Sequence, residues 1–495
     1  MLHHSSPDQT SSRFPGRLER LLLWGIAATP ILLLIAAAAR GLGRPFPDLP
    51  WLSLDGLGLT VGFLVSSVGA ATFRFALHHL EGEEGMRRFL RWMALTIVAA
   101  ILLSLATHLV VFFLAWILTS AGLHQLLTFR RDRPLALLVA RKKFLVSRLG
   151  DAALLGAIAL VATRWDTFDL ETLLVRMAAD PDPARTTALA VLVALAALAK
   201  SAQVPFHTWL PETMEAPAPV SALMHAGIVN AGGLLLLRFA PAIEASAVAQ
   251  VFLVTVGTAT FVLGAMVSWT QPDVKKALAW STVAQMGFLI VECGLLAWPL
   301  AILHLVGHGF YKAWAFLHTG DLPSERPLVK SRSPLADLAA GLPLALAGVA
   351  FAAFALGFEV FHSWGSFALT GILVLALSQV PSLLGGFAHR PGASLAGILA
   401  GAWIATAIHQ IAESLFGLPA TGPTPSGLSA AAAAIALVGA TLLVLARAIL
   451  PGLASSPTGA RWLVRVATGF QLTTLANRAV ERLWTATSNK ETRHA

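Results

Sequence analysis

Apolar residues fill this chain in blocks of about twenty, separated by short clusters of Arg, Lys, Asp, Glu, Pro and Gly. As helices, such blocks match the thickness of a bilayer's hydrocarbon core. The pattern predicts spans over about 21–39, 54–77, 89–106, 109–127 and 144–162. A broken pair follows, 188–199 and 220–239. Further spans are predicted over about 247–269, 277–298, 300–318, 335–356, 367–387, 393–416 and 430–450, giving about 14 in all. The fold class is therefore all-α, a polytopic transmembrane helical bundle with broken helices. Residues 1–17 are polar and read as a disordered cytoplasmic tail, 18–453 as the transmembrane domain, and 454–495 as an amphipathic segment on the cytoplasmic face. Arg40 and Pro45 follow the first span in place of a small-residue cleavage site, which makes it an anchor.

Composition agrees with this reading. Of 495 residues 56% are hydrophobic and 12% charged, about half the charge of a soluble protein. Cys293 is the single cysteine, which excludes an internal disulfide and a cysteine-built metal site. The net charge of +9 reads as topology and not as nucleic-acid binding, because the basic residues sit in short loops. Loops at 87–91, 130–143, 275–276 and 326–332 are basic and fall on the side of both termini. The positive-inside rule places that side in the cytoplasm. No nucleotide loop or nucleophile motif marks the chain as an autonomous enzyme.

Three polar constellations interrupt the apolar pattern. The first runs from Lys200 to His225 and holds four prolines, His207, Glu212 and Glu215. A helix broken inside the membrane frees backbone carbonyls and amides, and an ionisable group there points to an ion or proton path. Burial disfavours the ammonium form of any lysine and a nearby carboxylate restores it. The alternative is a re-entrant turn with a snorkelling lysine. Either His207 or His225 serves equally as a relay or as a hydrogen-bonded core residue. The second constellation, Asp273 to Gly287, starts a helix: Asp273 is placed to cap it, Lys275 and Lys276 follow, and Ser281, Thr282 and Gln285 enter the membrane. The third, His304, His308 and Lys312, repeats every four residues and so shares one helix face. Two imidazoles at that spacing suit zinc, but their companions are Lys312 and Tyr311, so a hydrated proton path is favoured over a metal. Residues 458–485 interleave Trp462, Val466, Phe470 and Trp484 with Arg461, Arg465, Arg478 and Arg482, as a surface helix or a partner-docking helix would.

These motifs resemble the antiporter-like membrane subunits of respiratory complex I, above all the L-type. Matching stretches are Lys200–Gln203, Trp209–Leu210, Pro219–His225, Asp273–Ala279, Ser281–Gly287 and His304–Lys312, with Leu54–Leu57, Gly82–Gly85 and Arg148–Asp151 besides. The resemblance covers about 54–320. It implies an antiporter-like fold in which Lys200 is the central proton-carrying lysine and His225, His304, His308 and Lys312 lie along a polar axis. The chain departs from the pattern at Ile117, where the family has a glutamate after the tryptophan, and at Glu359, the nearest ionisable group where the family has a lysine. Against the L-type pattern, a chain ending at 495 is expected to lack the lateral helix and one span at its start.

Those departures resemble a repurposed branch, the DabB membrane subunits of bacterial inorganic-carbon accumulation complexes. That resemblance implies an inner-membrane subunit, with protons or sodium as coupling ion. It would energise conversion of carbon dioxide to bicarbonate by a cytoplasmic, DabA-like zinc partner. No cofactor is expected in this chain; the zinc belongs to the partner. A redox-driven complex I or hydrogenase subunit and a multi-subunit sodium/proton antiporter subunit are the competing expectations. With no acid at Ile117, His124 and His108 are candidates to relay protons to Lys200.

Overall fold

In hydrocarbon every backbone N–H and C=O needs a partner within the chain, and the apolar blocks meet that demand as helices. The structure, a computed structural model, describes residues 16–43, 51–320, 334–357, 363–416, 427–453 and 455–491. Among these, fourteen helical segments are long and apolar enough to cross a membrane. Two isolated bridges, Leu52–Ala106 and His108–Asp169, are the extent of β-pairing among the described residues. Of the tail predicted over 1–17, residues 1–15 lie outside the described residues, as does Glu359, while Arg17 already begins the first helix.

The first five helices are α1 (Arg17–Gly41), α2 (Gly56–His79), α3 (Met86–Leu105), α4 (Leu109–Leu127) and α5 (Pro134–Trp165), each packed on the one before it. The short α6 (Leu170–Ala179) precedes α7 (Pro183–Lys200). The chain then passes through a 3-10 stretch, Phe206–Glu215, into α8 (Ala218–Ala226), α9 (Ala231–Arg238) and α10 (Ala240–Glu244). Next come α11 (Ala247–Thr270), α12 (Val274–Gly294) and α13 (Trp298–Leu317). A peripheral group follows: α14 (Pro334–Leu356), α15 (Trp364–Leu377), α16 (Val380–Leu383), α17 (Pro391–Phe416) and α18 (Gly427–Leu453). The chain closes with α19 (Pro457–Ala467) and α20 (Leu472–Glu491).

One large core joins residues from α1 through α13, while α14, α15 and α17 close over a smaller cluster and α15 and α18 share another with Val254 of α11 and Val291 of α12. At its centre lies the segment Ala218–Arg238, whose apolar window is 100% buried against 17% for the first helix. It is sheathed by α2, α4, α7, α12 and α13. Small residues bring α11 and α12 together: a Cβ on Gly257 would stand 2.8 Å from Gly287 O, so the backbones touch.

Two departures from the sequence reading matter for the site. The sequence predicts one interruption after Lys200, whereas the chain breaks twice, the second time at Ile228–Asn230 between α8 and α9. The carbonyls freed there are answered locally. Asn230 Nδ2 donates to Ala226 O (2.8 Å) and Ser201 Oγ to Val229 O (2.7 Å). The second departure concerns α5, which starts ten residues before the predicted 144 because Pro134 occupies its first turn, where a missing N–H costs nothing. Arg141, Lys142 and Lys143 are thereby helical and not in a loop, and both lysines are buried.

The two cationic segments meet at one end of the bundle. There α20 packs on α5 and on the 3-10 stretch, Asn477 Nδ2 donates to Glu212 Oε1 (3.2 Å), and Gln271 Nε2 donates to Ala467 O (2.9 Å). At the opposite end Asp55 caps α2 by accepting from Gly58 N (2.7 Å) and pairs with the buried Arg238 of α9. Arg238 Nη2 also donates to Ser104 O (2.7 Å), so one guanidinium ties α2, α3 and α9.

Candidate functional site

Helix α7 stops at Lys200, and the side chain turns into a receptor built by α4. Its Nζ donates to Trp116 O (3.1 Å), Thr119 Oγ1 (2.9 Å) and Ser120 Oγ (3.0 Å), and lies 4.3 Å from the centroid of the Trp116 ring. Ile117 supplies no oxygen, so neutral groups hold the amine. The carboxylate missing from that position is found one step away: Trp116 Nε1 donates to Asp151 Oδ1 (2.9 Å), and Asp151 pairs with Arg148 (2.6 Å). Arg148 and Asp151 are three residues apart and so share a helix face, but that spacing gives no sign of the indole link, which depends on how α5 packs on α4.

Two more lysines crowd this receptor. Lys143, 4% exposed, donates to Ser120 O (2.5 Å), the same residue whose hydroxyl holds Lys200. Lys142 pairs with Glu212 and donates to Thr208 O (3.3 Å), joining α5 to the break. The sequence pattern assigned both to the basic loop over 130–143. Nearby, a cavity lined by Val65, Leu103, Thr119, Gly227 and Asn230 lies between the Lys200 receptor and the second break.

The other constellation forms on α13. Lys312, fully buried, donates to Leu278 O (3.1 Å) and Ser281 Oγ (2.5 Å) of α12. One turn back lies His308 and a turn beyond it His304, their ring centroids 6.0 Å apart. His304 Nδ1 is 2.8 Å from Glu292 Oε2 on α12. Glu292 is 5% exposed and went unmarked in the sequence, where it is a lone acid in the run Leu289 to Gly294. His225 stacks on Phe316 with centroids 4.3 Å apart and is fully buried. Neither of its ring nitrogens, nor His308 Nε2 or His304 Nε2, has a hydrogen-bond partner among the described residues. Buried polar atoms are nearly always paired, so this run of unpaired imidazole nitrogens is where water or a moving proton fits.

The remaining candidates sit apart. His207 is buried beside Trp280 at the α20 end, with ring centroids 5.5 Å apart. Lys275 is half-buried in the first turn of α12, where Asp273 caps by accepting from Lys276 N (2.7 Å). His124 lies near the C-terminal end of α4 against Phe144, and His108 stands just before its first residue against Phe168. The structure brings neither to Lys200. At the end opposite α20, burial raises the carboxyl of Glu244 above the usual range, against the hydrogen bond from Trp298 Nε1 (2.6 Å). Among the described residues no three His, Cys, Asp or Glu side chains converge as metal ligands do.

Comparison with known proteins gives four likenesses. Residues 106–363 match the family model described as NADH:quinone oxidoreductase/Mrp antiporter, transmembrane. In sequence, the chain is 41% identical over 272 residues to the probable inorganic carbon transporter subunit DabB of Hydrogenovibrio crunogenus, covering 54% of this chain and 52% of that one. It is 34% identical over 347 residues to NADH-quinone oxidoreductase subunit L of Mycobacterium tuberculosis, covering 68% and 54%. In structure it resembles a chain of the Mrp complex from Dietzia sp. DQ12-45-1b, at 26% identity and TM-score 0.55, covering 96% of this chain and 57% of that one. The chain spans about half the length of the curated relatives it matches.

Proposed function

The chain belongs to the NADH:quinone oxidoreductase/Mrp antiporter transmembrane family, and from that premise we propose that it is the ion-translocating subunit of an inorganic-carbon accumulation system. In this reading protons, or sodium ions, move through the Lys200 receptor and the α13 row. Their movement energises conversion of carbon dioxide to bicarbonate by a cytoplasmic DabA-like zinc protein. The observation that carries translocation is Lys200 itself, an amine at a membrane helix break held by neutral oxygens. An amine so held releases its proton more readily than one locked to a carboxylate. The choice of carbon rests on the DabB relatives at 40–41% identity.

Both termini are assigned to the cytoplasmic side of the bacterial inner membrane by the basic loops, and α19 and α20 present Arg461, Arg465, Arg478 and Arg482 there. The zinc partner docks on that face, on the loop over 130–133 and on the α19–α20 segment. A second reading, a subunit of a redox-driven complex, is favoured by the longer match to subunit L, 68% of the chain.

One experiment separates the two. Deleting the gene in its host should create a growth requirement for elevated carbon dioxide, and affinity purification of the chain should recover a large zinc-containing protein. Recovery of flavin- or iron–sulfur-bearing subunits, with growth unaffected by carbon dioxide, would select the redox reading instead.

A further inference from the structure

The path proposed above is made of lysines and imidazoles, yet α12 brings to it one carboxylate that no motif marks. Glu292 lies near the C-terminal end of α12, and its Oε2 is 2.8 Å from His304 Nδ1. A carboxylate buried at membrane depth is costly and persists where it is paired or where it acts. We infer that Glu292 and His304 form one proton-exchanging pair that terminates the α13 row at the end opposite α20. The inference rests on the ion-translocation reading and adds a residue to it.

Three observations support the pair. Its inner side opens onto the row: His304 Nε2 is buried without a partner among the described residues, and His308, with its own Nε2 unpartnered, is the next ring along. Its other side lies at the rim of the bundle, because Ala297 N, in the turn that joins α12 to α13, donates to Glu292 O (2.9 Å). Trp298, the next residue, donates to the half-buried Glu244, so a second carboxylate stands at the same rim. Lys312 occupies the far end of the row, with Leu278 O and Ser281 Oγ.

The exchange balances simply. For inward passage the Glu292 O–H bond breaks as a His304 Nδ1–H bond forms, and the proton on Nε2 leaves towards His308. The carboxylate is then free to take the next proton from the rim. Outward passage reverses each step, and because the ring ends in the opposite tautomer it must turn over and regain its starting form before the pair carries a second proton the same way. A lock that merely fastened α12 to α13 would need the hydrogen bond but no titration, and this separates the two roles.

The test uses the intact assembly in inside-out membrane vesicles, with a pH-sensitive dye reporting proton flux. Glu292→Gln keeps a hydrogen-bonding group of the same shape but cannot titrate, and should lower the flux at least about tenfold. Glu292→Asp should retain more flux than Glu292→Gln. In parallel, infrared difference spectra of the purified chain at two pH values should show a protonated-carboxyl band that vanishes in Glu292→Gln and shifts in His304→Gln. Wild-type flux in Glu292→Gln overturns the pair while leaving the translocation reading intact. A wild-type assembly that moves neither protons nor sodium ions sinks that reading, and the infrared band then decides the pair alone. Should Glu292→Gln fail to assemble, His304→Gln decides by the same band: a shift supports the pair and an unmoved band overturns it.

Discussion

Lys200 and Lys312 sit in receptors of the same design. Each amine bonds the carbonyl of one residue on a neighbouring helix and the hydroxyl of the residue three further on: Trp116 and Thr119 for Lys200, Leu278 and Ser281 for Lys312. That spacing puts carbonyl and hydroxyl on one helix face, one turn apart. The surroundings of the two receptors differ. Around Lys200 the neighbours are charged, with Lys143 on Ser120, Lys142 on Glu212, and Asp151 behind Trp116. Around Lys312 they are imidazoles, and a carboxylate appears only at the end of the row as Glu292. One receptor is thus set by fixed charges close by and the other by a chain of groups that can pass a proton on. On the ion-translocation reading proposed above, the same amine chemistry would serve two tasks, gating at Lys200 and conduction along α13.

The largest effect should come from emptying the first receptor. Lys200→Ala should lower carbon uptake about 100-fold or more with the assembly intact on a native gel. Lys200→Arg should fail as fully, since a guanidinium keeps its proton at physiological pH. A Lys200→Ala variant with normal uptake would remove the gate from this half. Lys312→Ala should cost less, about tenfold, because water can bridge a gap in a conducting row more readily than it can replace a gate. Equal losses at the two positions, measured in the same vesicles, would mean that the receptors share one role.

How the two halves looked in the sequence differed as well. The α13 row was legible from spacing alone, because residues four apart on a helix must share a face whatever the tertiary fold. So were the fourteen spans and the Asp273 cap. The charged half was not legible. Lys142 and Lys143 resembled loop cations until Pro134 set the start of α5, and Asp151 joins the Lys200 receptor by a hydrogen bond from the indole of Trp116, 35 residues earlier on another helix. Glu292 escaped because its partner His304 lies across the α12–α13 turn, 12 residues on, where no helical period applies.

The indole link offers a sharper cut. Trp116→Phe keeps an aromatic face under Lys200 but removes the donor to Asp151. If that carboxylate acts on Lys200 through the indole, Trp116→Phe should slow uptake about three- to tenfold, and Asp151→Asn by a similar factor. The double variant should then be no slower than the worse single one, because both changes remove the same interaction. Strictly multiplicative losses would show that Asp151 works independently, through Arg148 or at longer range.

The smallest effect is expected at His108 and His124. Loss of the acid at Ile117 makes an imidazole relay to Lys200 attractive on chemical grounds, but α4 carries the two rings to opposite ends, about 24 Å apart along its axis. Lys200 meets that helix between them, at Trp116 to Ser120. Each ring rests against a phenylalanine instead, His108 on Phe168 and His124 on Phe144, with Nδ1 unpartnered in both. Glutamine at both positions preserves hydrogen bonding and removes titration. The double variant should therefore keep carbon uptake within about twofold of wild type, a change typical of residues outside the chemistry. A loss beyond about tenfold would put a titrating side chain back into the charged half. It would then work as the imidazole half does, and the contrast between gate and conductor would collapse into two similar conductors.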